Sequence, residues 1–218
     1  MSEVGGGAKG REPRHPAVAA VGSRIRAERL RVGMTLRELA RRLNVSPSFV
    51  SQLETGKSQA SVATLYALCE VLDLPIESLF GPLAEKHPAQ DAVNSSTGEG
   101  RYGPVVRPSE RSSIVLETGV RWESLTRLTD TNIEFMFTVY PVGGSSSGGE
   151  QLLRHEGTEF GYVLRGELEV SIGFERYVLS PGDAVSFDSA TPHRFANVGQ
   201  EPTHAVWFVH ERRHDPRV

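Results

Sequence analysis

The spacing of apolar residues changes once along this chain, and that change limits what it can fold into. Up to Phe80 the apolar residues recur at helical spacing in short, capped pieces; from about residue 111 they alternate every second position in brief runs. A helix-period segment does not hold as a strand, nor a strand-period segment as a helix. The pattern therefore predicts an all-α domain followed by an all-β one. Between them, residues 83–110 have no period and are rich in Gly, Pro, Ser and acid, as an interdomain linker is. Residues 1–16, "MSEVGGGAKGREPRHP", are read as a disordered tail. The expected division is thus a tail over 1–16, a helical domain over 17–82, a linker over 83–110 and a β domain over 111–212.

Five helices are expected in the first domain. "VGSRIRAERLRVG" sets Ile25 and Leu30 on an apolar stripe and stops at Gly33, a natural residue for the left-handed end of a helix. Thr35 can cap "LRELARRL", with Glu38 three residues later completing a reciprocal capping box. Ser46 caps the next helix, which has Pro47 at its first position and ends at Gly56. Ser61 caps "VATLYALCEVL", and "LPIESLF" forms the last, short helix. In the β domain nine runs read as strands, from "SIVLE" to "THAVWFVH", separated by turn residues, which argues for a sandwich or barrel. "GGSSSGG" over 143–149 reads as a flexible loop, since it lacks the Lys-Ser/Thr of a phosphate-binding loop.

Charge is divided between the halves. Residues 1–60 hold eleven Lys/Arg against five Asp/Glu, whereas residues 61–218 hold thirteen against twenty-two. A basic front on an acidic body suits a polyanion-binding module joined to something else. The single cysteine, Cys69, can form no intrachain disulfide, and no run is long enough to span a bilayer. A cytoplasmic protein without a membrane partner is expected.

Two capped helices joined by a short turn make a helix-turn-helix candidate. Leu39, Ala40, Leu43, Val45, Val50 and Leu53 would pack the pair together, leaving Ser46, Ser48, Phe49, Ser51 and Gln52 outward. Short polar side chains and a glutamine suit a major-groove reader, because glutamine can bond adenine N6 and N7 together. An ordinary helical bundle with a polar face would show the same pattern. The run "MTLRELARRLNVSPSFVSQLETGKSQASVATLYALCEVLDLPIESLF" resembles the DNA-binding domain of Xre-type, phage-repressor-like regulators over about residues 20–80. That resemblance implies that Ser46, Ser48 and Gln52 face base edges and that Arg37, Lys57 and Ser58 contact phosphates. It departs at Leu36, where these regulators often carry a backbone-gripping glutamine. One such unit reads few base pairs, so a homodimer on a pseudo-palindromic double-stranded operator is expected.

In the β half, "RHEGTEFGYVLRGELEV" and "LSPGDAVSFDSATPHRFAN" resemble the two motifs of the cupin family, a double-stranded β-helix barrel, over about residues 112–210. His155, Glu159 and Gly166 hold the later positions of the first motif, and Leu153 stands where its first histidine would be. The second motif supplies His193 and Asn197. Together the halves resemble bacterial regulators that join an Xre-type domain to a C-terminal cupin sensor.

Leu153, His155 and Glu159 are spaced evenly, so an extended chain could turn all three into the barrel. Two imidazoles and one carboxylate can hold a divalent metal such as iron, zinc, manganese or nickel. The same His155, Glu159 and His193 could instead bind a small-molecule effector without metal, and Leu153 makes the pocket drier. A third reading has His155 and Glu159 pairing with each other or with Arg154 or Arg165 near the barrel mouth. His204 could also face the pocket. The competing class is a mononuclear non-haem iron enzyme, of epoxidase or dioxygenase type, bearing the same helix-turn-helix domain. A phosphonate epoxidase would need charged pocket residues, and the β half contains no lysine. The expectation is a one-component transcription regulator, not an enzyme, with the linker coupling its domains.

Overall fold

The computed structural model describes residues 16–80, 104–128 and 132–210. The expected tail up to residue 15 and the linker over 83–103 lie outside the described residues. Helices α1 (Pro16–Arg31), α2 (Leu36–Arg42), α3 (Pro47–Glu54), α4 (Val62–Leu72) and α5 (Glu77–Phe80) form the first domain. The caps follow from residue type. Thr35 accepts from Glu38 N at 3.1 Å, Ser46 from Phe49 N at 3.1 Å and Ser61 from Thr64 N at 3.1 Å. Each satisfies a backbone donor that the first turn leaves without a partner. The capping box at Thr35 forms on that side only, because the Glu38 carboxylate turns to Arg42 at 3.1 Å. Gly33 and Gly56 end their helices at φ 68° and 64°.

The stripe expected on α1 is corrected. Ile25 is buried, but Leu30 is 58% exposed. Five residues rotate a helix by about 140° off register, so the buried position one turn on is Arg29. Its guanidinium meets Glu54 of α3 in a two-pronged pair at 2.6 and 3.0 Å and donates to the Met34 carbonyl at 2.9 Å. Gly22 lets α1 lie this close, since a Cβ there would run into the Leu53 carbonyl. Leu39, Ala40, Val50 and Leu53 fill the α2–α3 contact, with Leu43 and Val45 partly buried beside them.

Among the described residues the second domain has nine antiparallel strands: β1 (Ser113–Val115), β2 (Arg121–Ser124), β3 (Ile133–Tyr140), β4 (Thr158–Arg165), β5 (Leu168–Ile172), β6 (Glu175–Leu179), β7 (Ala184–Asp188), β8 (His193–Ala196) and β9 (Thr203–His210). A six-stranded sheet runs β1-β2-β3-β9-β4-β7 and a three-stranded one β6-β5-β8. Alternation sends Met136, Thr138 and Tyr140 of β3, Glu159 and Val163 of β4, and Ala205, Trp207 and Val209 of β9 into the interior. Gly166 turns the chain after β4 at φ 75°, where a Cβ would meet the Pro202 carbonyl.

Two sequence expectations change here. The "GGSSSGG" segment is an ordered inner loop: Ser145, Ser146 and Ser147 are buried. Their small side chains fit inside the barrel, where Ser146 N bonds the Phe195 carbonyl at 2.9 Å and Ser145 Oγ bonds the Ser147 carbonyl at 2.7 Å. The end of the expected linker is also folded, with a 3-10 turn over Pro108–Glu110 held by Arg127 against Glu110 at 2.7 Å.

The two domains touch directly. Ile114 and Leu116, in and just after β1, are buried beside Val21, Ile25 and Leu65 of the helical domain. Glu117 N donates to the Ala60 carbonyl at 3.1 Å, and Val62 N to the Ser146 carbonyl at 3.2 Å.

Removing one partner of a buried ion pair strands the other charge. Glu54→Ala should therefore lower helical stability by roughly 3–5 kcal/mol, read from urea unfolding of the whole chain by circular dichroism. Arg29→Met with Glu54→Leu should cost less than Glu54→Ala alone. A Glu54→Ala chain as stable as the wild type would show that the pair does not hold α1 on α3.

Candidate functional site

The helix-turn-helix exposes a polar face. The turn between α2 and α3 is made by Asn44 in the left-handed region, φ 53°, with Val45 N bonding back to the Ala40 carbonyl at 3.0 Å. On and beside α3, Ser46, Ser48, Ser51 and Gln52 are exposed, as are Arg37 on α2 and Lys57 after α3. Phe49, expected outward, is half-buried and packed on the core, because its ring gains more from apolar contact than from water. Ser58 is also half-buried, lining a cleft between the domains with Ile25, Leu53 and Leu116. Lys57 N and Ser58 N bond the Gln52 carbonyl at 2.8 and 3.2 Å, so the loop after α3 is anchored to Gln52's own backbone.

The barrel gathers His155, Glu159 and His193 at one point. Glu159 Oε1 lies 2.8 Å from His155 Nε2 and 3.1 Å from His193 Nε2, and the three ligand atoms lie within 4.8 Å of one another. Different elements deliver them. Glu159 points inward from β4 and His193 from the start of β8; His155 sits before β4, its N–H on the Ser189 carbonyl at 3.2 Å. Leu153 is buried in the same cavity, bonded to His193 through both backbone groups at 2.7 and 2.9 Å.

The hydrogen bonds around the cluster define its chemistry. His193 Nδ1 lies 2.9 Å from the Thr191 carbonyl and His155 Nδ1 3.2 Å from the Glu156 carbonyl. A carbonyl only accepts, so each Nδ1 carries a proton; a ring with no second proton turns a bare Nε2 lone pair toward the carboxylate, and a ring with one turns an N–H toward it. Acceptors facing one another at this distance repel unless a proton or a cation lies among them. Glu159 Oε1 and His193 Nε2 accordingly make no well-directed hydrogen bond to a protein group despite their closeness. Backbone carbonyls on the far ring nitrogens are the usual support of metal-ligating histidines. The donor set thus fits a divalent cation: two imidazole nitrogens and a carboxylate oxygen.

Two residues not singled out in the sequence hold Glu159 in place. Trp207 Nε1 donates to Glu159 Oε2 at 2.6 Å. Gly161, opposite Trp207 in the β4–β9 ladder, leaves room for the indole, which a Cβ would strike. Burial alone would raise the Glu159 carboxyl, but hydrogen bonds and positive charge from His155 and His193, in their protonated form, outweigh it and hold it at about 2. The carboxylate is therefore anionic at neutral pH. Burial, with the Glu159 charge adding to it, pushes the Tyr140 phenol up.

The remaining wall comes from the other domain. Val62 and Tyr66 of α4 close the cavity, which Trp122, Met136, Phe195 and Trp207 also line. The Tyr66 ring stacks on His155 with centroids 4.1 Å apart and planes 8° from parallel, and its hydroxyl donates to Glu134 Oε2 at 3.0 Å. With Tyr66 in place the cavity holds about 20 Å³, room for an ion or one water.

The pairing of His155 with Glu159 is seen, whereas Arg154 is exposed and Arg165 pairs with Glu201. His204 lies on the outer side of the sheet, edge-on to Phe137 at 5.5 Å. Asn197 braces a turn, its amide on the Tyr140 and Glu201 carbonyls at 2.9 and 2.8 Å. Tyr66 and Trp207 carry no local signal, since both read as core aromatics of their own elements.

Comparison with known proteins agrees with this division. Residues 25–79 match the helix-turn-helix family model and residues 136–209 the cupin domain model. The HTH-type transcriptional regulator PuuR of Escherichia coli is 24% identical over 182 residues, 82% of this chain and 88% of that protein. The transcriptional regulator ClgR of Mycobacterium tuberculosis is 32% identical over 81 residues, 37% of this chain and 72% of that protein. A crystal structure of an HTH_3 family transcriptional regulator from Vibrio cholerae superposes with a TM-score of 0.59 at 21% identity, covering 89% of this chain and 97% of that one. The chain, helical at its N-terminus and a cupin barrel at its C-terminus, belongs to the Xre-type helix-turn-helix transcriptional regulators and is a DNA-binding protein.

Proposed function

We propose that this regulator reads its operator through Ser46, Ser48 and Gln52, with Arg37, Lys57 and Ser58 on the phosphates, and that its cupin domain is a sensor built around a divalent cation. The observation that carries the sensor reading is the convergence of His155 Nε2, Glu159 Oε1 and His193 Nε2 on one point while both Nδ1 atoms are held by backbone carbonyls. A bound cation would supply positive charge and open coordination positions to an effector bearing an anionic or hydroxyl oxygen. Trp207 orients the carboxylate, and Leu153 keeps that side of the cavity dry. Metal-free recognition of an effector by the same three side chains would instead need a proton on His155 or His193 to compensate Glu159. A regulator rather than an enzyme is favoured by the named relatives and by the cavity wall, where no lysine or arginine occurs among the described residues.

The protein acts as a homodimer in this reading. The outer face of the six-stranded sheet supports it: Phe135, Phe160, Tyr162 and Leu164 are exposed there, with Phe208 between the first two at 6.4 and 5.8 Å. Such an apolar patch is rarely left bare. In this reading the protein acts on DNA in the cytoplasm; among the described residues no helix is long and apolar enough to cross a membrane.

On DNA, Gln52→Ala should cost about 1–3 kcal/mol on the operator and little on random sequence. Lys57→Ala should weaken both alike and flatten the salt dependence. Equal losses on both DNAs for Gln52→Ala would remove it from the base-reading set.

In the barrel, elemental analysis of purified protein should find near-stoichiometric iron, zinc, manganese or nickel, absent from Glu159→Gln. Chelation should lower the barrel's unfolding midpoint, since an ion bound only by the folded state adds to its stability. A wild-type chain that neither carries nor takes up any of these ions would contradict the cation-based sensor.

A further inference from the structure

The wall that Tyr66 contributes has consequences for both domains. Tyr66 belongs to the helical domain, yet its ring covers the face of His155 and its hydroxyl is spent on Glu134, which is buried in the barrel. It also meets Trp122 edge-on at 6.5 Å. Around it, α4 is fastened to the barrel by the two backbone bonds, Val62 N to the Ser146 carbonyl and Glu117 N to the Ala60 carbonyl. Ala60 follows closely on Lys57 and Ser58, whose N–H groups are tied to the Gln52 carbonyl. The DNA-facing end of α3 and the cavity are therefore joined by one short, hydrogen-bonded stretch of chain.

The Tyr66 ring lies on the face of His155 that a ligand in this small cavity would use. We infer that Tyr66 is a built-in competitor for the effector: a small molecule that reaches His155 displaces the Tyr66 ring and so releases α4, and the DNA-binding domain with it, from the barrel. This rests on the reading of the cavity as the sensor site. Tyr66's contacts also define what can replace it. The ligand must lay a flat or apolar body on the His155 ring and bring a hydroxyl or ammonium donor to Glu134 Oε2, among the aromatic edges of Trp122, Phe195 and Trp207. Release alters operator binding because two copies must hold their reading helices about one helical turn of DNA, roughly 34 Å, apart. A docked domain is held in one position relative to the barrel, whereas an undocked one must be ordered on the operator at an entropic cost.

The test is a double-mutant cycle on operator affinity with the whole chain in chelator, so that any cation is absent from all four proteins. The variants are Tyr66→Ala, His155→Ala and both together. Each single substitution removes the stack and should shift the operator Kd threefold or more, in the same direction. The double variant should shift it no further than the larger single one. Should Tyr66→Ala fail to fold, Tyr66→Leu, which fills the space without a stacking plane, takes its place with the same expectation. Single shifts below threefold, or shifts that multiply in the double variant, would overturn the inference. The sensor reading fails separately, if saturating zinc neither binds the wild type nor alters its operator affinity, and the cycle in chelator decides the role of Tyr66 in either case.

Discussion

A carboxylate buried in an apolar barrel survives only with positive charge beside it, and Glu159 is the point around which the second domain is arranged. Losing water costs an isolated carboxylate several kcal/mol, so the interior must compensate it or protonate it. His155 and His193 supply the compensation, and the backbone carbonyls at Glu156 and Thr191 fix which nitrogen each presents. Trp207 takes the second oxygen, and Gly161 exists as glycine because the indole occupies its side-chain space. Leu153 closes the side from which a further donor would come. Local conformation, packing and electrostatics thus serve one requirement, an anionic oxygen held between two imidazoles.

That requirement reaches the DNA-binding half because the barrel mouth is closed by α4 rather than by a loop of its own. Tyr66 shields the His155 face from water, which strengthens the electrostatics inside. The same contact joins the domains mechanically. Coupling between sites needs an element whose position both sites influence, and α4 touches the cavity at Tyr66 and continues, through Ala60 and Lys57, to Gln52. The linker, to which the sequence assigns the coupling, is not the sole connection.

Much of this was legible from sequence because it depends on local rules. Thr35, Ser46 and Ser61 are caps by residue type, Gly33 and Gly56 stop helices by backbone freedom, and the nine alternating runs became nine strands. His155, Glu159 and His193 were found because a motif preserves their spacing. What escaped depends on partners distant in the chain. The expected stripe on α1 took Leu30 instead of Arg29, because only the fold brings Glu54 against Arg29. The "GGSSSGG" segment reads as a flexible loop because sequence does not show that Phe195 would bond Ser146. Nothing near Tyr66 or Trp207 announces a site, since each is an aromatic at an ordinary core position and only the fold brings it to His155 or Glu159.

In this reading the His155, Glu159 and His193 cluster and the DNA-binding helices form one mechanical unit. Hydrogen exchange of the full chain, compared in chelator and after loading with zinc, tests it most directly. An ion that fixes the His155 ring also fixes the surface on which Tyr66 stacks. The amides of residues 60–68 should therefore gain protection together with those around 153–159 and 193. Protection gained in the barrel alone, with α4 exchanging as before, would show that the cluster and α4 are not coupled.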